Sequence, residues 1–287
     1  MTDIGEHSSA VPARRASELG LRVASSLVLA LVALFATAVG GWIFALLWLL
    51  AGGAVLFEWL AMTKAEPGST LQVVLAGGLV ALAASAFAGA SPLIAAAICA
   101  GALVAAAALG RSWRDRGWAA AGFAYAAVIA VVPPLVREHP RLGLVAILWM
   151  FAVVWLTDIA AYFAGRRFGG PKLWPRVSPK KTWSGFFGGL VAGVAAGGIV
   201  VLVAGRFGVA APVSFAIVVL LSAVASVLSQ LGDLGESALK RRFGAKDSGV
   251  LIPGHGGVMD RLDGFWAAAA LIGLVLAGVQ LRQGWAG

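Results

Sequence analysis

Long apolar stretches recur along almost the whole chain and constrain its fold more than any other feature. Nine of them are about 17 to 23 residues long, the length that a helix needs to cross the roughly 30 Å hydrocarbon core of a bilayer. They cover residues 21–37, 42–60, 71–87, 92–109, 118–136, 143–165, 183–204, 211–232 and 264–281. Charged residues make up only 12% of the chain, which excludes a soluble domain with a charged surface. The sequence therefore predicts an all-α, polytopic integral membrane protein with about nine transmembrane helices.

Positive charges are distributed unevenly between the segments that connect these stretches. If the N-terminus is cytoplasmic, all but four of the 22 lysines and arginines fall on the cytoplasmic side. The four exceptions are Arg137, Arg141, Arg206 and Arg282. Because cytoplasmic loops are enriched in Lys and Arg, this asymmetry predicts a multi-pass protein of the cell inner (plasma) membrane with its N-terminus and its long basic loops in the cytoplasm.

No tandem repeat or low-complexity linker divides the chain into parts. We therefore expect residues 21–287 to form a single transmembrane domain, preceded by a disordered cytoplasmic segment, residues 1–20. The single cysteine, Cys99, excludes an internal disulfide and a site built from several cysteines. The net charge of +9 would attract anionic lipids and nucleotides to the cytoplasmic face. We do not predict a nucleic-acid partner.

The densest group of charged residues lies between the last two apolar stretches, at residues 237–263. Asp260 and Asp263 are three residues apart, so on a helix they share a face and can bind one hard cation. Asp233, at the end of the eighth stretch, is a third carboxylate. Three acids beside a lysine suit Mg²⁺ that is held partly by substrate phosphates. The alternative is that these acids only neutralise the neighbouring basic residues in surface ion pairs.

A second long basic segment, residues 166–182, precedes the seventh apolar stretch. Ser178, Lys181 and Thr182 stand just before the helix that is predicted to begin at Trp183. Free N–H groups and the helix dipole favour a phosphate at such a helix start, so these residues are candidates for binding one. The alternative is a solvated loop that contacts anionic lipid headgroups.

Two further carboxylates lie inside predicted spans, where an ionisable group costs several kcal/mol unless it is paired or hydrated. For Asp158 we expect a place in a polar cavity beneath the charged loop, with a structural salt bridge as the alternative. For Glu58, near the cytoplasmic end of its span, a surface position and a functional one both stay open. His255 lacks the partner ligands of a zinc site and a nucleophile to activate, so we expect it to hydrogen-bond phosphate or stabilise its charge, with a purely structural role as the alternative.

The segment 237–263 resembles the signature of the phosphatidate cytidylyltransferases, also called CDP-diacylglycerol synthases. The pattern is Ser-x-Leu-Lys-Arg, four residues, Lys-Asp-x-Gly, and then Pro-x-His-Gly-Gly-x-x-Asp-Arg-x-Asp. Its defined positions are filled here by Ser237, Leu239, Lys240, Arg241, Lys246, Asp247, Gly249, Pro253, His255, Gly256, Gly257, Asp260, Arg261 and Asp263. Segments around Asp158, Ser178 and Asp233 also resemble the family, so the resemblance covers roughly the C-terminal half. Ile159 and Ser184 depart from the residues that the family often has there.

The resemblance implies a membrane nucleotidyltransferase that condenses phosphatidic acid with CTP to give CDP-diacylglycerol and pyrophosphate in phospholipid biosynthesis. It implies that Asp233, Asp260 and Asp263 bind Mg²⁺, and a second cation stays open. The implied catalytic residues are Lys240, Arg241, Lys246, Asp247, His255 and Arg261. The implied substrate-binding residues are Asp158, Ser178, Lys181, Thr182, Ser237, Gly256 and Gly257. CTP, phosphatidic acid and membrane lipids are the expected partners, and a homodimer stays open.

Other protein classes share some of these features. A secondary transporter would not concentrate its charge in one connection between spans. A CDP-alcohol phosphatidyltransferase has a similar Asp-x-x-Asp-Gly motif but needs further aspartates downstream, and no acidic residue follows Asp263. A non-enzymatic membrane scaffold with a lipid-binding basic loop is a further alternative. A related CTP-dependent enzyme that acts on another lipid phosphate or on a polyprenol is the alternative that the residues leave open.

Overall fold

Nine helices and one short β-hairpin make up the part of the chain that the structure describes. A computed structural model describes residues 10–63, 69–209, 211, 213–252 and 256–285. The helices are α1 (Ala10–Val39), α2 (Gly41–Thr63), α3 (Ser69–Phe87), α4 (Pro92–Leu109), α5 (Trp113–Arg137), α6 (Gly143–Phe168), α7 (Trp183–Arg206), α8 (Phe215–Arg242) and α9 (Met259–Trp285). The hairpin consists of β1 (Lys172–Trp174) and β2 (Ser178–Thr182), which pair antiparallel between α6 and α7. The predicted all-α, polytopic fold is confirmed, with this hairpin as a small addition.

The predicted spans correspond to these helices one by one. Eight helices, α2 to α9, are long and apolar enough to cross a membrane, whereas the apolar portion of α1, Ala24–Val39, is shorter. The predicted span 211–232 begins too early, because Ser214 caps α8 and the helix starts at Phe215. Helix α1 already begins at Ala10, inside the segment predicted to be disordered, and residues 1–9 lie outside the described residues.

Helices α6 and α7 pack closely because α7 carries a glycine at every fourth position on one face. These glycines are Gly185, Gly189, Gly193 and Gly197, and all four are buried. A Cβ atom on Gly189 would lie only 2.8 Å from the carbonyl oxygen of Thr157 in α6. Small residues of this kind let helix backbones approach each other in a membrane, where no hydrophobic force drives helices together. The close approach brings the end of α6 beside the start of α7.

Aromatic rings join α2 to α9 in the centre of the bundle. The Trp48 ring stacks on the Phe265 ring with 4.7 Å between the ring centroids, and Phe265 also contacts Phe151 of α6. These residues belong to a buried cluster that includes parts of α1, α5 and α8. The packing places the ends of α2, α6 and α8 and the starts of α7 and α9 together. We call this part of the molecule the charged end of the bundle.

Candidate active site

The hairpin ties α7 to α8 at the charged end. Thr182, the last residue of β2, is the N-cap of α7, because its Oγ1 accepts a hydrogen bond from the N–H of Gly185 at 3.1 Å. The predicted helix start at Trp183 is confirmed. The neighbouring Lys181 places its Nζ 2.6 Å from Oδ2 of Asp233 near the end of α8. Thr182 is therefore buried as the N-cap residue of α7, whereas Lys181 is a half-buried cation beside the carboxylate of Asp233.

Lys240 lies between two carboxylates at the end of α8. Its Nζ is 3.1 Å from Oε1 of Glu236, one helical turn earlier, and 2.5 Å from Oδ1 of Asp260 in α9. The side chains of Lys240, Glu236 and Asp260 are only 14, 1 and 7% exposed. We call these three residues the Lys240 triad. The triad joins α8 to α9 and supports the connection between them; a phosphate-neutralising role for Lys240 stays a prediction.

Asp260 uses both of its carboxylate oxygens within the protein. Besides the contact with Lys240, its Oδ2 accepts hydrogen bonds from the N–H groups of Ser248 and Gly257, each at 2.9 Å. The neighbouring Gly256 has a φ of 83°, and a Cβ atom there would lie 3.0 Å from the same oxygen. Only glycine adopts this conformation readily in so little space. The backbone conformation and the lack of space therefore explain why the pattern has glycine at position 256. A contact between Gly256 and the substrate stays a prediction.

Glu58 of α2 also contacts the connection between α8 and α9. Its carboxylate accepts hydrogen bonds from the N–H groups of Val258 and Met259, both at 2.9 Å, and from the Ser248 hydroxyl at 3.2 Å. Glu58 is only 1% exposed, so the surface position that the sequence left open is wrong. Its partners stand about 200 positions further along the chain, and nothing in the local sequence identifies them.

Three carboxylates from three helices lie near one another beside the Lys240 triad. They are Asp158 of α6, Asp233 of α8 and Asp263 of α9, and Asp233 interacts electrostatically with both of the others. Oδ1 of Asp263 accepts a hydrogen bond from the N–H of Gly264 at 2.7 Å. Asp158 is exposed on α6 and forms no ion pair within 4.0 Å among the described residues.

Carboxylate oxygens are the donor type that Mg²⁺ prefers, so these three acids fit that cation in kind. Within the described ranges, no group of three His, Cys, Asp or Glu side chains is arranged as a ready-made metal site. A cation bound by these acids would therefore take part of its coordination shell from water or phosphate oxygens, as Mg²⁺ usually does.

The remaining candidate residues from the sequence are exposed, form weak hydrogen bonds or provide space for neighbouring side chains. Arg241, Lys246, Asp247 and Arg261 are exposed at the charged end. The Ser237 hydroxyl donates to Oδ1 of Asp233 at 3.4 Å, and Ser178 is half-buried at the start of β2. A Cβ atom on Gly257 would contact the side chains of Ser248 and Glu58. His255 lies outside the described residues, so its role stays a prediction.

Two residues contribute to this site although the sequence did not identify them. Glu236 lies in the segment around Asp233 that resembles the family, but no role was predicted for it, and it is the buried partner of Lys240. Its spacing of four residues from Lys240 on a helix was the signal that could have identified the pair. Ser248, a variable position of the pattern, is the residue that both Glu58 and Asp260 contact. No local signal points to that contact.

Comparisons with known proteins agree with these features. A family model described as the cytidylyltransferase family matches residues 20–278. A phosphatidate cytidylyltransferase of Brucella suis is 45% identical over 262 residues, which cover 89% of this chain and 92% of the relative. The corresponding protein of Brucella abortus is 44% identical over the same shares. The match extends well beyond the C-terminal half to which the signature resemblance pointed.

A more distant relative matches in about half of its length. The phosphatidate cytidylyltransferase of Bacillus subtilis is 42% identical over 142 residues, which cover 50% of this chain and 51% of the relative. The family match itself includes the helix that carries Glu58 as well as the signature segment. This chain belongs to the cytidylyltransferase family.

Proposed function

We propose that this protein transfers the cytidylyl group of CTP to phosphatidic acid, giving CDP-diacylglycerol and pyrophosphate in phospholipid biosynthesis. The observation that carries this proposal is the 45% identity, over 89% of the chain, to a protein named phosphatidate cytidylyltransferase. The architecture supports a lipid substrate. Carboxylates and cations gather at one end of an apolar bundle, so acyl chains can stay among the helices while a phosphate reaches the charged end.

The reaction brings two anions together. An oxygen of the lipid phosphate attacks the α-phosphorus of CTP, and a new P–O bond forms as the bond from the α-phosphorus to the bridging oxygen of the β-phosphate breaks. Pyrophosphate leaves with that electron pair. Because the lipid phosphate is already deprotonated near neutral pH, no strong general base is needed. The protein contributes charge neutralisation and in-line positioning instead.

The exposed cations at the charged end are suited to neutralise these phosphates. Arg241, Lys246 and Arg261 are exposed there, and Lys181 adds a cation from the hairpin, 2.6 Å from Asp233. Asp247 is exposed in the same connection and would orient the nucleotide. The roles that the resemblance implies for Ser178, Thr182, Ser237, Gly256, Gly257 and His255 remain part of this proposal.

Mg²⁺ is the cofactor in this proposal, and a second cation stays open. Asp233 and Asp263, with Asp158 beside them, would hold it together with substrate oxygens. When bound, the cation would neutralise charge on the α-phosphate and on the leaving pyrophosphate. For Asp260 the same role competes with the hydrogen bonds and the ion pair that its two oxygens already form.

An activity assay tests the reaction. The protein is purified in detergent and mixed with Mg²⁺, phosphatidic acid and each nucleoside triphosphate in turn, and pyrophosphate and lipid-linked nucleotide are measured. We expect product with CTP only, and loss of product in Asp263→Asn. Parallel reactions with a different lipid phosphate and with a polyprenol test the alternative that the enzyme uses CTP to modify one of these lipids instead. Product in one of those arms and none with phosphatidic acid would refute the proposed substrate.

The chain is a multi-pass membrane protein, and we propose that it lies in the inner membrane with its N-terminus and the charged end in the cytoplasm, where CTP is. A Cys99→Ala background permits single-cysteine labelling, because Cys99 is the only cysteine. A membrane-impermeant maleimide should label a cysteine at Arg141 in intact cells and leave one at Lys246 unlabelled. The opposite pattern would reverse the orientation. Light scattering of the purified protein tests the homodimer that the sequence leaves open.

A further inference from the structure

We infer that Glu58 is a positioning residue for the proposed active site, because its buried carboxylate on α2 holds the first turn of α9 and the turn at Ser248 in place. Nothing in the signature pattern includes Glu58, which lies in the N-terminal half of the chain. The kinetic part of this inference rests on the proposed function. The structural part does not, so the two can fail separately.

The contacts of Glu58 match what the start of a helix needs. The first N–H groups of a helix have no partner within the helix, and they favour a negative charge. Val258 precedes α9 and Met259 opens it, and the carboxylate accepts from the N–H of each at 2.9 Å. Among the described residues no cation lies within ion-pair distance of Glu58. The charge of Glu58 is therefore compensated by the helix start and by Ser248.

Two glycines of the signature pattern make room for this carboxylate. A Cβ atom on Gly249 would lie 2.6 Å from Oε1 of Glu58, and one on Gly257 would lie 2.5 Å from Oε2. Both distances are too short for a real side chain, and neither carboxylate oxygen can withdraw without losing its hydrogen bonds. Gly249 and Gly257, which belong to the signature pattern, thus leave space for the carboxylate of Glu58, which does not belong to it.

The link from Glu58 to the reacting groups is short. Ser248 donates its hydroxyl to Glu58 and its N–H to Asp260, so both carboxylates hold the same residue. The first turns of α9 also carry Arg261 and Asp263, the residues proposed to contact phosphate and cation. A misplacement of about 1 Å at reacting groups can lower the rate about 100-fold. Releasing the start of α9 should therefore affect the chemical step.

The test is Glu58→Gln, which keeps the shape of the side chain. One acceptor oxygen becomes an NH₂ group, and in either orientation it faces a backbone N–H, that of Val258 or that of Met259. We expect kcat to fall at least tenfold at saturating CTP and phosphatidic acid, with KM for CTP within threefold of wild type. Ser248→Ala removes a single hydrogen bond to the same carboxylate and should lower kcat by a smaller factor, at least threefold.

Thr63→Val is the matched control on the same helix. Thr63 is buried, and within the described ranges its hydroxyl bonds only to carbonyl groups of α2 itself, so this change should lower the unfolding temperature and leave kcat within twofold of wild type. A folded Glu58→Gln protein with kcat within twofold of wild type would overturn the inference. If that variant does not fold, Ser248→Ala decides, and unchanged kcat in Ser248→Ala overturns it.

Amide hydrogen exchange supplies a readout that needs no activity. In Glu58→Gln the amides of Val258 and Met259 should exchange at least tenfold faster, while the amides of α3 stay as in wild type. Equal exchange at Val258 and Met259 in the two proteins would overturn the inference. If the wild-type protein forms no product from CTP, the proposed function fails, and the exchange result still decides whether Glu58 positions the helix start.

Discussion

Replacing Lys240 with Met separates a supporting role of this lysine from a purely catalytic one. Lys240 lies 2.5 Å from Asp260 and 3.1 Å from Glu236, and its side chain is 14% exposed. Met has nearly the same length but no charge. The substitution therefore leaves two carboxylates, both almost fully buried, without the cation between them.

The expected cost follows from this geometry. Removing one partner of a buried ion pair costs about 3–5 kcal/mol, because the remaining charge stays buried and unpaired. For a chain of this size each kcal/mol corresponds to about 2–4 °C, so the unfolding temperature of Lys240→Met should fall by roughly 6–20 °C. A second substitution, Glu236→Gln, removes one of the unpaired charges. The double variant should therefore recover at least half of the loss, although each substitution alone destabilises the protein.

Tryptophan fluorescence during heating in detergent is a suitable assay, because the chain contains 11 tryptophans. Arg241→Met is the matched control, since Arg241 is exposed and forms no ion pair in the part of the chain that the structure describes. It removes the same charge and should shift the unfolding temperature by less than about 2 °C, as most exposed sites do. A Lys240→Met protein as stable as Arg241→Met, or no recovery in the double variant, would refute the buried triad.

Three further outcomes follow from the packing and the hairpin. Gly189→Ala places a Cβ atom 2.8 Å from the carbonyl oxygen of Thr157, so α6 and α7 must separate; the unfolding temperature should fall by several degrees, and an unchanged value would contradict the close packing. Lys181→Met removes the contact with Asp233, which is 2.6 Å long and partly exposed; stability should change by less than about 1 kcal/mol while CTP-dependent product formation falls, and full activity would exclude Lys181 from the site. Thr182→Val removes the N-cap of α7 and should cost about 1 kcal/mol in thermal unfolding; an equal loss in Ser178→Ala, a position outside the cap, would argue against this assignment.

Much of the fold could be predicted because its signals are local. The length and hydropathy of an apolar stretch depend on consecutive residues, so the predicted spans coincide with helices, and the polar residues before Trp183 predict the start of α7. The hairpin between α6 and α7 was missed, since its strands have three and five residues and no alternating apolar pattern. The late start of α8 was missed as well, because apolar residues continue across the cap at Ser214.

The candidate site could be predicted in its composition but not in its pairing. The signature segment names Asp260, Lys240 and their neighbours, and the family match agrees with it. Which charges neutralise one another depends on the faces that α2, α8 and α9 turn toward each other. That choice is made by packing between helices far apart in sequence, and a single-sequence pattern with a 3.6-residue period cannot specify it.

Two features follow from the order of residues alone: this chain spans a membrane many times, and its charges gather between the last two spans, because hydropathy and composition act residue by residue. Helix packing, in contrast, buries Lys240 between Glu236 and Asp260 and brings Glu58 to the start of α9 from the other half of the chain. A buried charge must find its partner in space. In a helical bundle that partner is set by the packing of whole helices, which no local stretch of sequence contains.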